Sequence, residues 1–163
     1  TICGTCTSKY TASFFKVTTS ISQNDNLAGG KSYYLAEAEA LLHMLNEVQT
    51  DLPSLCIVDE IFRGTNSKER IAAAGQLLKY MSKLNALTIV ATHDIELTDI
   101  VKDEYSIYYF DENVGKEGLI FDYHLKSGVS PTTNAIKILD FLGYPKEIVN
   151  NSNALIRSNA GKY

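Results

Sequence analysis

Ser54-Leu55-Cys56-Ile57-Val58-Asp59-Glu60-Ile61-Phe62-Arg63-Gly64-Thr65-Asn66 is the stretch that decides the fold. Residues 55–58 form an apolar, partly β-branched run of strand length, the composition of a strand buried on both faces. The run ends in two adjacent acids, Asp59 and Glu60. Successive strand side chains point to opposite faces. One carboxylate can therefore hold a Mg²⁺ ion while the next meets a water beside the same phosphate. Two carboxylates at the mouth of a sheet repel each other and are costly to desolvate unless a cation offsets them. An apolar strand closed by Asp-Glu is the Walker B pattern of a nucleoside triphosphatase. The plainer alternative is a strand that enters a polar loop.

Working outward, residues 14–21 are aromatic and β-branched and read as a strand. Across residues 32–48, Leu35, Ala38, Leu42, Leu45 and Val48 recur at helical spacing. Pro53 introduces the Asp-Glu strand. Asn66, with Glu69 three residues on, is a good cap for a second helix that buries Ile71, Ala74, Leu78 and Met81. A strand at 87–91 follows and ends in Thr92-His93-Asp94. Strand, helix, strand, helix, strand predicts a layered α/β domain with a mostly parallel sheet. Farther on, residues 105–110 and 119–125 read as the arms of a β-hairpin turning at 113–118. Pro131 opens a helix that runs to Leu142 and stops at Gly143, and Pro145 opens a last helix bearing Ile148, Val149, Leu155 and Ile156. The expectation is one domain over residues 1–163, with its core at 14–101 and the hairpin and C-terminal helices at 105–163.

Composition narrows the classes. A chain of 163 residues, 45% hydrophobic, can bury one core. Net charge is −4 with Lys and Arg scattered, which argues against a broad DNA-gripping face on this chain. Cys3 and Cys6 form a C-x-x-C, but no second Cys or Cys/His pair stands at zinc-ribbon spacing. The odd third cysteine, Cys56, lies inside the apolar strand, which fits a reducing cytosol. No apolar run reaches membrane-spanning length, and no signal-peptide pattern is present. The chain begins at Thr1 rather than Met, so it reads as a piece of a longer protein.

Two further segments carry chemistry. Gly30-Lys31-Ser32 looks like the end of a P-loop, yet G-x-x-x-x-G-K-[ST] demands glycine at position 25, where this chain has Asp25. An acid there repels the phosphates that the glycine would cradle. Leu27-Ala28-Gly29-Gly30-Lys31-Ser32 reads better as a signature loop, whose glycines bring a helix N-terminus and the Ser32 hydroxyl up to an anion. In a dimer that anion can be the γ-phosphate of ATP held by the other subunit. A glycine turn before a capped helix remains the alternative. His93 directly follows the strand at 87–91, and ligands of parallel sheets bind at the C-terminal strand ends. It should therefore share one edge with Asp59 and Glu60, where it could donate a hydrogen bond to a γ-phosphate oxygen. His43 and His124 have no such partners and read as structural.

Taken together, these motifs resemble a known family. Asp25-Asn26-Leu27-Ala28-Gly29-Gly30-Lys31-Ser32-Tyr33-Tyr34 with Glu37, then Val58-Asp59-Glu60-Ile61-x-Arg63-Gly64-Thr65, then Ala91-Thr92-His93, is similar to the C-terminal ATPase domain of the MutS DNA mismatch-repair family. The likeness continues through Ser127-Gly128, residues 134–142 and Gly143-Tyr144-Pro145-Lys146-Glu147-Ile148, and so covers most of residues 14–150. ABC transporters and SMC-type proteins share the signature, Walker B and His elements but lack Arg-Gly-Thr after the acids.

The resemblance implies a P-loop NTPase fold of the ABC-like type, with ATP and Mg²⁺ as ligands. Asp59 would order the Mg²⁺, Glu60 would orient or deprotonate the attacking water, and His93 would contact the γ-phosphate. Ser32, with Gly29 and Gly30, would complete the partner subunit's site, while Arg63, Gly64, Thr65 and Asn66 would form a loop across the dimer interface. A second copy of the domain, DNA engaged through upstream domains, and a prokaryotic cytosol are the implied partners and setting.

The departures from the family pattern are specific. Phe62 stands where the family usually has glycine, Asn66-Ser67-Lys68-Glu69-Arg70 replaces a Ser/Thr-rich continuation, and Asp94 follows the histidine where an aromatic is common. They point to a divergent MutS-like branch. In the family the P-loop precedes the strand at 14–21, so the fold is expected to be incomplete at its N-terminus and the isolated chain inactive. Two rival readings are an ABC- or SMC-like ATPase and a non-catalytic dimerisation module using Tyr108, Tyr109 and Tyr123. Sequence upstream of Thr1 separates the first rival; restored ATPase on mixing with a P-loop-bearing polypeptide separates the second.

Overall fold

Three strands, β1 (Lys16–Ser20), β2 (Ser54–Asp59) and β3 (Ala86–Ala91), pair in sequence order and run parallel throughout. The computed structural model describes residues 9, 11, 13–21, 33–48, 52–115, 118–131 and 134–159. These fall into two compact units, Thr1–Tyr105 and Ser106–Tyr163.

In the first unit, parallel neighbours require crossovers, and α1 (Tyr33–Glu47) and α2 (Ser67–Met81) supply them. Sequential strand order with right-handed crossovers puts both helices on the same face of the sheet. Burial follows that rule. Ser54, Cys56 and Val58 point to one face and are buried. On the other face Val17, Leu87 and Ile89 are exposed, with Leu55 and Ile57 half-buried between them in register. The expectation that β2 is buried on both faces is therefore corrected. Its apolar run is continuous, but among the described residues only one side of the sheet is covered.

A second correction concerns α1. Val48 of the expected face is buried, but Leu35 and Leu42 are exposed, and Leu41 and Met44 are buried in their stead. The segment carries two apolar stripes, and packing against the sheet selects the one at 41, 44 and 48. Lys16 of β1 forms an ion pair with Glu47 at the end of α1. In α2, Asn66 caps as expected: its Oδ1 accepts from the Glu69 N–H at 3.0 Å while its Nδ2 donates to Glu69 Oε2 at 2.6 Å. One backbone N–H of the helix start is thus satisfied, and the Glu69 carboxylate holds the capping side chain in place. Ala74, Gly75, Leu78 and Met81 form the buried stripe.

A short helix not anticipated from sequence, α3 (Ile95–Val101), follows β3 directly. It approaches α2 so closely that a Cβ added at Gly75 would lie 2.7 Å from Ile100 Cγ2. Tyr105 closes the unit by donating its hydroxyl to the Leu78 carbonyl at 3.0 Å.

In the second unit the expected hairpin is present in two pieces. β5 (Glu112–Gly115) and β6 (Gly118–Phe121) pair antiparallel, and β4 (Tyr108–Tyr109) pairs with β7 (Lys126–Ser127). The first arm therefore lies partly at 112–115 and takes in residues 113–115 of the expected turn. Gly115 pairs opposite Gly118, which adopts φ +125°, a backbone conformation that favours glycine. The next helix, α4 (Ala135–Phe141), begins four residues after Pro131 rather than at it. Asn134 precedes it and donates its side-chain amide to the Glu112 carbonyl at 2.7 Å, tying the helix start to the hairpin. Gly143, at φ +82°, stops the helix as expected, and α5 (Lys146–Asn159) follows with Val149 buried. Among the described residues no helix is long and apolar enough to cross a membrane.

Candidate functional site

The carboxyl edge of the parallel sheet brings the sequence-predicted residues together. Asp59 is the last residue of β2. The Glu60 N–H donates to the Ala91 carbonyl at 2.8 Å, carrying the ladder one residue past the strand. There the backbone turns abruptly. Glu60 and Phe62 both adopt left-handed conformations, φ 65° and φ 59°, around a buried Ile61. Each costs about 1–3 kcal/mol for a non-glycine residue and persists only where surrounding contacts fix it. Position 62 is the one noted above as glycine in the resembled family, and its positive φ gives that glycine a physical reason.

Several contacts hold this turn. The Phe62 ring packs on Tyr34, centroids 5.7 Å apart. A Cβ at Gly64 would meet the Tyr34 backbone N at 2.8 Å and Cα at 3.0 Å, so only glycine admits this approach to the start of α1. Glu37, one turn into α1, turns its carboxylate to the loop. Burial pushes its pKa up, opposed by the backbone N–H groups of Arg63, Phe62 and Gly64 and by the Arg63 charge, and its Oε2 is buried without a hydrogen-bond partner.

Glu60 and His93 touch. Glu60 Oε1 lies 2.7 Å from His93 Nδ1, and Glu60 Oε2 accepts from the Thr92 hydroxyl at 3.3 Å. The Glu60 side chain is 14% exposed and that of His93 71% exposed. Both oxygens of the half-buried acid are engaged by residues just past β3, while the imidazole stands out toward solvent. Asp59 is more open, its nearest cation being the Arg63 guanidinium at a loose 3.5 Å.

Mg²⁺ is bound through one or two carboxylates, with water and phosphate oxygens filling the remaining positions. An open carboxylate at a strand end fits that requirement. Among the described residues no cluster of three or more His, Cys, Asp or Glu could hold a metal ion without such added ligands.

The other expected residues are distributed as follows. Gly29, Gly30 and Ser32 lie outside the described residues; α1 begins at Tyr33, the next position. Asn66 has both side-chain polar atoms committed to Glu69. His43 and His124 are exposed, His43 on α1 and His124 in the turn before β7.

Sequence reasoning missed Arg70. Its guanidinium grips Asp94 through Nε to Oδ2 at 2.8 Å and Nη2 to Oδ1 at 2.7 Å. Asp94 stood out only as a departure from the family pattern, and no spacing rule links positions 24 apart.

Residues 5–158 match a family model, MutS domain V. The chain is 30% identical to the DNA mismatch repair protein MutS of Thermus thermophilus over 149 residues, 91% of this chain and 18% of that protein. The MutS proteins of Natronomonas pharaonis and Pelotomaculum thermopropionicum are 30% and 32% identical over 146 and 148 residues, in each case 17% of their length. The chain therefore spans less than a fifth of these relatives, and 88% and 89% of it is covered by the latter two.

Proposed function

The chain belongs to the MutS family, and from that premise we propose that it forms part of an ATP-binding and hydrolysing motor whose dimer closure is coupled to DNA binding elsewhere in the protein. The observation that carries this reading is the 2.7 Å contact between Glu60 and His93 at the ends of two adjacent parallel strands. There a carboxylate can orient or deprotonate an attacking water and an imidazole can hydrogen-bond a γ-phosphate oxygen, roles that suit phosphoryl transfer to water.

In this proposal the domain has the layering of a P-loop NTPase of the ABC-like type. Asp59 is the carboxylate that holds Mg²⁺, which when bound neutralises charge on the phosphates. Glu60 receives the proton of the attacking water. Its Oε1 becomes available when His93, exposed and held at one nitrogen, moves from Glu60 to a γ-phosphate oxygen. Thr92 keeps the other oxygen in place. Ser32, with Gly29 and Gly30, binds the γ-phosphate of the partner copy through the N-terminus of α1. Arg63, Gly64 and Thr65 present the loop that meets the partner; Asn66 joins it only by releasing Glu69. The setting is the cytosol.

These 163 residues contain no complete G-x-x-x-x-G-K-[ST] pattern, so they lack a cradle for the nucleotide's own phosphates. Mg-ATP hydrolysis is to be measured in the chain alone and in a polypeptide joining it to a P-loop segment. The first should show none. The second should turn over and lose its activity on Glu60→Gln. Robust turnover by the chain alone, or turnover indifferent to Glu60→Gln, refutes the proposal.

A further inference from the structure

The Arg70–Asp94 pair has no part in the roles above, yet it touches the residue next to His93. Asp94 is only 7% exposed, and Arg70 meets both of its oxygens with a planar fork. Two-point contacts of this kind fix orientation as well as distance.

The position of Asp94 makes the arrangement informative. It occupies the N-cap of α3, where an aspartate ordinarily turns its carboxylate onto the helix's own N–H groups. Here no such bond forms, and the carboxylate faces α2 instead. Removing a charge pair from water offsets much of its attraction, so an ion pair that also forgoes a cap is poorly explained as a device for stability. Direction is what it supplies.

From Asp94 the connections lead straight to Glu60. The Asp94 N–H donates to Thr92 Oγ1 at 3.1 Å, which leaves the threonine hydroxyl hydrogen for Glu60 Oε2. Thr92 and Asp94 thus form the two feet of an arch with His93 at its crown. Arg70 grips one foot and Glu60 the other. The Arg70 N–H in turn donates to the Asn66 carbonyl at 3.0 Å, in the loop that follows Glu60.

We propose that Arg70 and Asp94 are positioning residues whose two-point ion pair holds the 92–94 arch so that His93 presents Nδ1 to Glu60. The significance of this for ATP hydrolysis rests on the function proposed above; the positional claim itself does not. A ring nitrogen held against a carboxylate keeps its proton, so neutral His93 is fixed as the Nδ1–H tautomer with Nε2 facing outward. An unconstrained histidine favours the opposite tautomer.

The test uses the 163-residue chain with ¹⁵N-labelled histidine, read by long-range ¹H–¹⁵N NMR at about pH 8.5, well above the ordinary histidine range. His43 and His124, both exposed, are internal references. His93 should show the Nδ1–H signature. Asp94→Asn should move most of His93 to the Nε2–H form and leave the references unchanged. Arg70→Lys, which keeps the charge but gives up the fork, should give a mixture. A folded Asp94→Asn chain with the wild-type His93 signature overturns the proposal. Should that variant fail to fold, an unchanged signature in Arg70→Lys overturns it equally. The ring signature is read without nucleotide, whereas the ATPase reading stands or falls on turnover in Glu60→Gln, so either can fail without the other.

Discussion

Glu60 and His93 are 33 residues apart in sequence, yet Glu60 Oε1 lies 2.7 Å from His93 Nδ1. The contact follows from the topology. Parallel pairing of β2 with β3 aligns Asp59 with Ala91, so the residues just past each strand must meet. The Glu60 N–H bond to the Ala91 carbonyl then fixes the side from which they do so.

A pair with one member this exposed contributes little to folding. Exposed ion pairs are worth about 0–1 kcal/mol, so a double-mutant cycle of Glu60→Gln and His93→Ala in chemical denaturation should give a coupling below about 1 kcal/mol. Loss of one preorganised hydrogen-bond donor to developing charge costs on the order of 10²–10³ in rate. His93→Ala should therefore lower ATP turnover of a P-loop-joined polypeptide by about a hundredfold or more. A large stability coupling with unaltered turnover would make the contact structural.

Gly64→Ala tests whether the loop after Glu60 depends on α1. The added methyl would sit 2.8–3.0 Å from the backbone N, Cα and Cβ of Tyr34. Those atoms belong to a helix start and cannot rotate away as a side-chain tip can. Forcing an extra methyl into such a contact costs about 1–3 kcal/mol. The variant should show that loss in urea denaturation, together with faster amide exchange at Phe62 and Arg63. Wild-type stability and exchange would show that the loop and helix are not mutually dependent.

What could be read from sequence follows the range of the interactions involved. Asn66 and Glu69 are three residues apart, and the helix cap is where the sequence places it. The parallel order of strands came from their alternation with helices. Long-range packing was not legible in full: Val48 was, but Leu35/Leu42 and Leu41/Met44 are both credible continuations of its face, and only the sheet chooses between them. α3 is seven residues long with Glu96, Thr98 and Asp99 among them, too short and polar to announce itself. The nearness of the acids to His93 was legible because each stands at or just past the end of a parallel strand. The left-handed turn at Glu60 and Phe62, and the grip of Arg70 on Asp94, were not, because backbone sign and distant pairing leave no periodic trace.

Cys56 provides a check on the core of the sheet. It is fully buried in the central strand, and burial pushes its thiol pKa up. Thiolate is the reactive form, so iodoacetamide at about pH 8 should leave Cys56 unmodified in the native chain, as read by peptide mass. Labelling should appear only with global unfolding by urea. Rapid modification under native conditions would place β2 at an accessible edge.

Glu37 gives the stability of the chain a defined pH dependence. Burial raises its pKa in the folded state more than the N–H groups of Arg63, Phe62 and Gly64 and the Arg63 charge lower it. The folded chain therefore holds this proton more tightly than the unfolded chain does, and stability falls with rising pH wherever the folded state binds more protons. The contribution of Glu37 is fully present below its unfolded value, about 4.3, and is lost as pH rises through the folded value. Glu37→Gln cannot titrate. The unfolding free energy of wild type minus that of Glu37→Gln should thus decrease from about pH 4 toward pH 7, and any constant cost of the amide cancels in that slope. A difference that stays flat or increases with pH would mean that the loop amides and Arg63, not burial, dominate at Glu37.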